Sequence, residues 1–275
     1  MDFWRTVRIV LVPAIIIAAA FFVPRFELSF DTSNLLSMVT FLFTIVIGFF
    51  IASATSNYLG LQSLIVQEDS ALIGIFSLGC LIQPKKKKAL VEVIDRYLIA
   101  CLEFDFSSYV PGTRKEFKEL IQVVDSIKPD NNEFSSLIQN LHDKKSVCIQ
   151  SRQGALLAAR RVVRPIHWLI LVLLTFMIFV LLFILRDSSL LSGLVIGILA
   201  VAAYLLLDLL YEIDTNVFLD DIMTYVDVEQ VFHVIGRPAY YPKFAFQRSG
   251  FRPESGTYRV GSRDTKGKLK IKLMS

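Results

Sequence analysis

The stretch Phe43–Gln62, FTIVIGFFIASATSNYLGLQ, decides the architecture, because it reads as a membrane span that does not stop. No charged side chain occurs in the thirty-six residues from Thr32 to Gln67. As a helix they would reach about 54 Å, at about 1.5 Å per residue. The hydrocarbon core of a bilayer is only about 30 Å thick. A helix that stays apolar beyond the lipid needs other cover, and a cytoplasmic helical bundle shared between subunits would supply it.

Working outward, the chain has 275 residues, of which 54% are hydrophobic and 22 are Phe. Its mean hydropathy is +0.55. Soluble domains are usually about 45–50% apolar, with those residues dispersed. Here they form long runs, Val7–Val23, Leu35–Thr55, Ile166–Leu185 and Leu190–Leu207, each close to the length of a membrane-crossing helix. The pattern predicts an all-α membrane protein. Four transmembrane helices would flank a helical cytoplasmic insert between the second and third, and a short mixed C-terminal tail would follow. The expected divisions are 1–60 for the first helix pair, 61–162 for the insert, 163–211 for the second pair and 212–275 for the tail. Arg5 and Arg8 before an apolar run ending in AAAFFVP also fit a cleaved leader, an alternative that stays open for the first run.

Charge sets the expected orientation. The two short connections, Pro24–Asn34 and Arg186–Ser189, hold only Arg25 and Arg186; the other 27 of the 29 Lys and Arg lie on the opposite side. The positive-inside rule makes that side cytoplasmic, with both termini inside. Cys80, Cys101 and Cys148 then share a reducing compartment, show no C-x-x-C spacing, and read as free thiols in helices. The net charge of +4 is modest, and no nucleic-acid partner is expected. Lys85–Lys88 reads as a solvated first helical turn or as a contact for anionic headgroups.

Within the insert, Leu90, Ile94, Tyr97, Leu98, Cys101 and Leu102 recur at helical spacing, predicting an amphipathic helix over Ala89–Phe106. Thr113-Arg114-Lys115-Glu116 fits a capping box, opening a helix to about Ile127. A last helix, Glu133–Arg161, is expected to run into the third span through Arg160, Arg161 and Arg164, with His167 and Trp168 at the interface. In the tail, Asp227-Val228-Glu229-Gln230 resembles a second capping box, opening a helix that Gly236 and Pro238 close. RPAYYPKF reads as loop. TYRVGS and KLKIKLM alternate as a hairpin would, or form a disordered basic end.

Catalytic motifs are absent: there is no P-loop, G-x-G-x-x-G, H-E-x-x-H or G-x-S-x-G, so no enzyme is expected. Glu229 and His233 are spaced to share a metal-facing side, or simply form a surface pair. Asp214, Asn216, Asp220 and Asp221 offer oxygen ligands that suit calcium, or solvate the segment below the last span. No other cofactor is expected. Asp208 ends the fourth span, where it either reaches the interface or lines a wet path.

Two rows mark the second span. Thr44, Gly48, Ala52, Ser56 and Gly60 place a small residue at every fourth position, as a packing ridge does. Phe41, Ile45 and Phe49 form a bulky row beside it. In the fourth span, Gly193 and Gly197 form a G-x-x-x-G that allows close approach of another helix.

At these residues the chain resembles a known family. FTIVIGFFIASATSNY is similar to the second transmembrane helix of bestrophins, and EIDTNVFLDD to the segment after their fourth span. YLGLQSLIVQEDSALIGIF with IDRYLIACLEFDF resembles more closely the bestrophin-like domain-of-unknown-function family of bacterial membrane proteins. Members carry a Glu after the second span, here Glu68, and an Arg-Tyr helix, here Arg96-Tyr97. The resemblance runs from about Leu35 to Tyr241. It implies a multi-pass protein of the bacterial inner membrane, a homo-oligomer in the lipid bilayer that passes inorganic anions such as chloride. By matching positions, its hydrophobic neck would be Phe41, Ile45 and Phe49. Two departures stand out. The Arg-Trp-Trp of bestrophins is replaced by Ser56-Asn57-Tyr58, and their Asn-Pro-Phe-Gly by Asn216-Val217-Phe218-Leu219. The rival expectation is a non-conducting membrane scaffold or sensor that binds a cytoplasmic partner through the insert and tail.

Overall fold

A computed structural model describes residues 7–22, 32–104, 109–128, 135–187, 189–215, 223–248, 253, 256–263 and 269–274. The chain divides into two compact units, residues 1–58 with 161–215 and residues 59–160 with 216–275.

The first unit is helical. α1 spans Val7–Phe22, its first five residues wound as a π-helix. α2 spans Thr32–Ile82, fifty-one residues, and its part up to Tyr58 belongs here. α6, Pro165–Ile184, and α7, Leu190–Asp214, complete the unit. Three helices, α2, α6 and α7, are long and apolar enough to cross a membrane; α1 is shorter. The core is one stripe per helix. On α2 it is Val39, Phe43, Ile47, Phe50 and Ala54, spaced by three and four residues, as one face of a helix requires. Leu171, Ile178 and Leu182 of α6 and Ile196, Ala200 and Ala203 of α7 meet it. Along α1, Ile17 and Ala20 pack on Gly197 of α7, where a Cβ would stand 3.5 Å from both.

The second unit takes α2 from Leu59 onward, then α3 (Lys87–Leu102), α4 (Arg114–Asp125) and α5 (Ser135–Ala158). α8 (Met223–Val234), β1 (Ala239–Pro242), α9 (Lys243–Arg248), β2 (Tyr258–Arg263) and β3 (Leu269–Met274) follow. Its core gathers Leu72 and Ile75 of α2, Leu90, Ile94 and Tyr97 of α3, Leu120 of α4, Leu141 of α5 and Phe232 of α8. Each large apolar side chain so buried contributes about 1.5–3 kcal/mol. This core buries one face of α2 from Ala71 to Ile82.

Four local expectations need correction. The helix expected over Glu133–Arg161 ends at Ala158 and does not continue into the third span. Pro165 is the cause: it takes the first helical position of α6, and Arg164 before it is extended at φ −72°, ψ 157°, as the residue before a proline prefers. Thr113 stands at the N-cap of α4, but its hydroxyl makes no cap bond; it accepts from Arg152 Nη2 at 2.8 Å instead. Asp227 lies inside α8, not at its start. RPAYYPKF is not all loop, since β1 pairs in parallel with β2.

The expected hairpin is present, β2 pairing antiparallel with β3. Gly236 closes α8 at φ +71°. The amides of Gly236 and Arg237 bond back to the carbonyls of His233 and Phe232 at 3.0 and 2.9 Å, a Schellman ending that needs a left-handed residue. A Cβ at Gly261 would collide with the Tyr240 hydroxyl, so β2 needs glycine there. Arg259 ties the sheet to α3 through a two-pronged bond to Asp95 at 2.9 and 2.6 Å.

Candidate functional site

In the first unit, α2 presents a face opposite its core stripe. Phe41, Ile45 and Phe49 are 67%, 53% and 64% exposed. Thr44, Gly48, Ala52 and Ser56 are exposed beside them, and Gly60 is exposed farther along the helix. A Cβ placed on Gly48 or Gly60 meets no atom within 4 Å. Gly193 and Gly197 of α7 instead face α1, Gly193 against the Phe21 ring and Gly197 against Ile17 and Ala20.

The other end of α7 is polar and buried. Asp208 and Glu212, one turn apart, pair with the Arg8 guanidinium at 3.4 and 3.2 Å. Arg8 also stacks 5.0 Å over the Tyr211 ring. A cation on α1 thus offsets the charge, as a costly carboxylate near a span requires. Asp214 is buried, and its Oδ1 accepts the amides of Val162 and Val163 at 2.8 and 2.9 Å. Its Oδ2 is buried without a hydrogen-bond partner among the described residues. The other candidate calcium ligands, Asn216, Asp220 and Asp221, lie outside the described residues. Among the described residues no three His, Cys, Asp or Glu groups are placed to hold a metal ion.

The second unit holds a buried polar network that the sequence reading only touched. Arg152 of α5 is 4% exposed. It donates to the Tyr97 hydroxyl at 2.5 Å, the Val110 carbonyl at 2.6 Å and Thr113 Oγ1 at 2.8 Å. Its guanidinium also lies 4.5 Å over the Phe117 ring. Tyr97 donates in turn to the carboxylate of Glu68 on α2. Opposite charges thus meet across one phenol, the compensation a buried ion needs. Burial pushes the Tyr97 hydroxyl and the Cys101 and Cys148 thiols above their ordinary ranges, so all three stay protonated. Glu68 and Tyr97 were marked by resemblance; Arg152 and Asp69 were missed. The signal was there, because Cys148, Arg152 and Ala155 follow one another at core spacing.

A family model for the bestrophin-like domain matches residues 31–216, more than half of the chain. The chain belongs to the bestrophin-like family. The match starts at the head of α2 and runs through α3 to α7, so it takes in both the exposed row on α2 and the Glu68–Tyr97–Arg152 network. With its three apolar helices, this is a membrane protein of the bestrophin-like family. No curated protein and no solved structure matches the chain. Of the residues expected to form a bestrophin-like neck, all three lie on one outward face of α2. Glu229 and His233, weighed as a metal pair, line a cleft of about 390 Å³, where Glu229 accepts the Tyr241 hydroxyl.

Proposed function

We propose that this bestrophin-like chain assembles as a homo-oligomer in a bacterial inner membrane and conducts anions, with both termini cytoplasmic. In this reading α2 lines the path, and Phe41, Ile45 and Phe49 form its hydrophobic neck. The observation that carries it is the outward face of α2, where three bulky apolar side chains run beside four small ones with no neighbour from their own chain within reach of Gly48. Small residues let helices of separate copies approach closely, and rings of apolar side chains can gate by dewetting. An anion flux in liposomes loaded with purified protein, together with the oligomer mass in detergent, tests the reading. A monomer without flux overturns it.

The second reading, a non-conducting scaffold, is favoured by β3. That edge strand alternates Lys270 and Lys272 with Ile271 and Leu273, the latter two 44% and 64% exposed. Such an edge suits an added strand from a partner.

A further inference from the structure

We propose that Asp69, with Glu68 beside it and Asp227 across from it on α8, is a proton-binding site inside the second unit. With Asp69 neutral, α2 and α8 hold their shared core; when Asp69 ionises, that core loosens. The site is a pH-sensitive switch.

The geometry comes first. Glu68 and Asp69 are adjacent on α2 and are 5% and 8% exposed. Glu68 has the Tyr97 hydroxyl as a donor. Asp69 Oδ2 is buried and has no hydrogen-bond partner among the described residues. Ionised, the carboxylate would hold charge on an Oδ2 that has no donor, whereas a neutral carboxyl needs fewer. The charged and titratable groups around this carboxyl pair are Tyr97 and Cys101 of α3, Arg152 and Cys148 of α5, and Asp227 of α8. Among the described residues Arg152 is the one cation in this set, and it is already bonded to Tyr97, Val110 and Thr113. The charges acting on Asp69 itself, Glu68 and Asp227, are both negative. α2 and α8 meet in one core, which holds Leu72 and Ile75 from the first and Val228 and Val231 from the second.

Burial, then Glu68, then Asp227 hold the Asp69 carboxyl well above its ordinary value of 3.8. The folded state therefore binds this proton more tightly than the unfolded chain does. The stabilisation is complete below the ordinary carboxylate range and is lost as pH rises through the raised folded-state value.

Thermal unfolding of the full chain in detergent, from about pH 5 to about pH 9, tests the site with Asp69→Asn and Asp227→Asn. Asn keeps the shape of the side chain but does not ionise. The wild type is expected to lose Tm with rising pH more steeply than Asp69→Asn. At about pH 8 the variant should unfold about 3 °C or more above the wild type. Asp227→Asn removes a like charge, so its fall in Tm should move to lower pH. Parallel curves for wild type and Asp69→Asn overturn the proposal. So does an Asp69→Asn protein that fails to fold or is less stable at about pH 8, since a neutral side chain is the state the site favours. A fall in Tm that Asp227→Asn leaves in place removes the three-residue site.

Discussion

Arg152 bonds the Tyr97 hydroxyl at 2.5 Å, and that hydroxyl passes its own proton toward Glu68. One phenol therefore stands between a cation from α5 and an anion from α2. Removing either charge leaves the other buried without its opposite at this phenol. Arg152→Ala should cost about 3–5 kcal/mol, and Tyr97→Phe about 1–3 kcal/mol. The double variant Glu68→Gln/Arg152→Met, which removes both charges, should recover much of the loss. Denaturant unfolding in detergent measures all three. An Arg152→Ala protein as stable as the wild type would show that the network carries no weight.

Asp214 holds a loop that no motif announced. α5 stops at Ala158 and α6 starts at Pro165, so the amides of Val162 and Val163 belong to neither helix. Both bond to Asp214 Oδ1. Asp214→Asn keeps an acceptor and should stay within about 1 kcal/mol of the wild type, while Asp214→Ala leaves two amides open and should cost about 1–3 kcal/mol. Equal Tm values for the two variants would refute this role.

How much of this was legible follows from what each signal depends on. Runs of apolar residues and helical spacing report on single helices, so α2, α3, α6 and α7 were readable. The stop near Ala158 was readable from Pro165, but the expectation carried the helix on through the basic cluster Arg160, Arg161 and Arg164. Thr113 shows the opposite limit. Its sequence is that of a capping residue, and only the fold brings Arg152, thirty-nine residues on, to claim the hydroxyl. The strand β1 was hidden for the same reason, because its partner β2 begins sixteen residues after Pro242. The face of α2 was fully written in the sequence, but a single chain leaves it open.

The thiols offer a check on burial. The thiolate is the reactive form, and burial pushes Cys101 and Cys148 above the ordinary range. At about pH 9 an ordinary thiol is mostly ionised, since its pKa is near 8.5. In the folded protein, maleimide should leave Cys101 and Cys148 unlabelled at that pH, and denaturation should expose all three cysteines. Rapid modification of Cys148 in the native state, located by peptide mass, would contradict the buried position.

Two glycines on neighbouring spans should behave differently. A Cβ at Gly197 lies 3.5 Å from Ala20 and Ile17, whereas one at Gly48 meets nothing. Gly197→Leu should push α1 from α7 and lower the stability of the chain itself, by about 1–3 kcal/mol as overpacking does. Gly48→Leu should leave the chain stable and reduce only the oligomer mass, if copies meet on that face. Native mass in detergent beside Tm separates the two effects. A Gly48→Leu oligomer of unchanged mass would take this face out of the assembly.

The neck is tested by truncating Phe41, Ile45 and Phe49 to Ala together. Their spacing of four keeps them on one slowly turning face, so helices around an axis would stack them as successive apolar collars. Each is more than half exposed on the single chain. Truncation should therefore spare the chain the 2–5 kcal/mol per residue that a core site would lose, and shift stability by about 0.5 kcal/mol or less at each position. The size of the stability change thus tells an open face from a core before any flux is measured. Widening the collars should then raise basal anion flux in liposomes, because water is retained better in a wider and less apolar constriction. If the triple variant keeps its oligomer mass and its Tm while flux stays at the wild-type level, these side chains face lipid and the conducting path lies elsewhere.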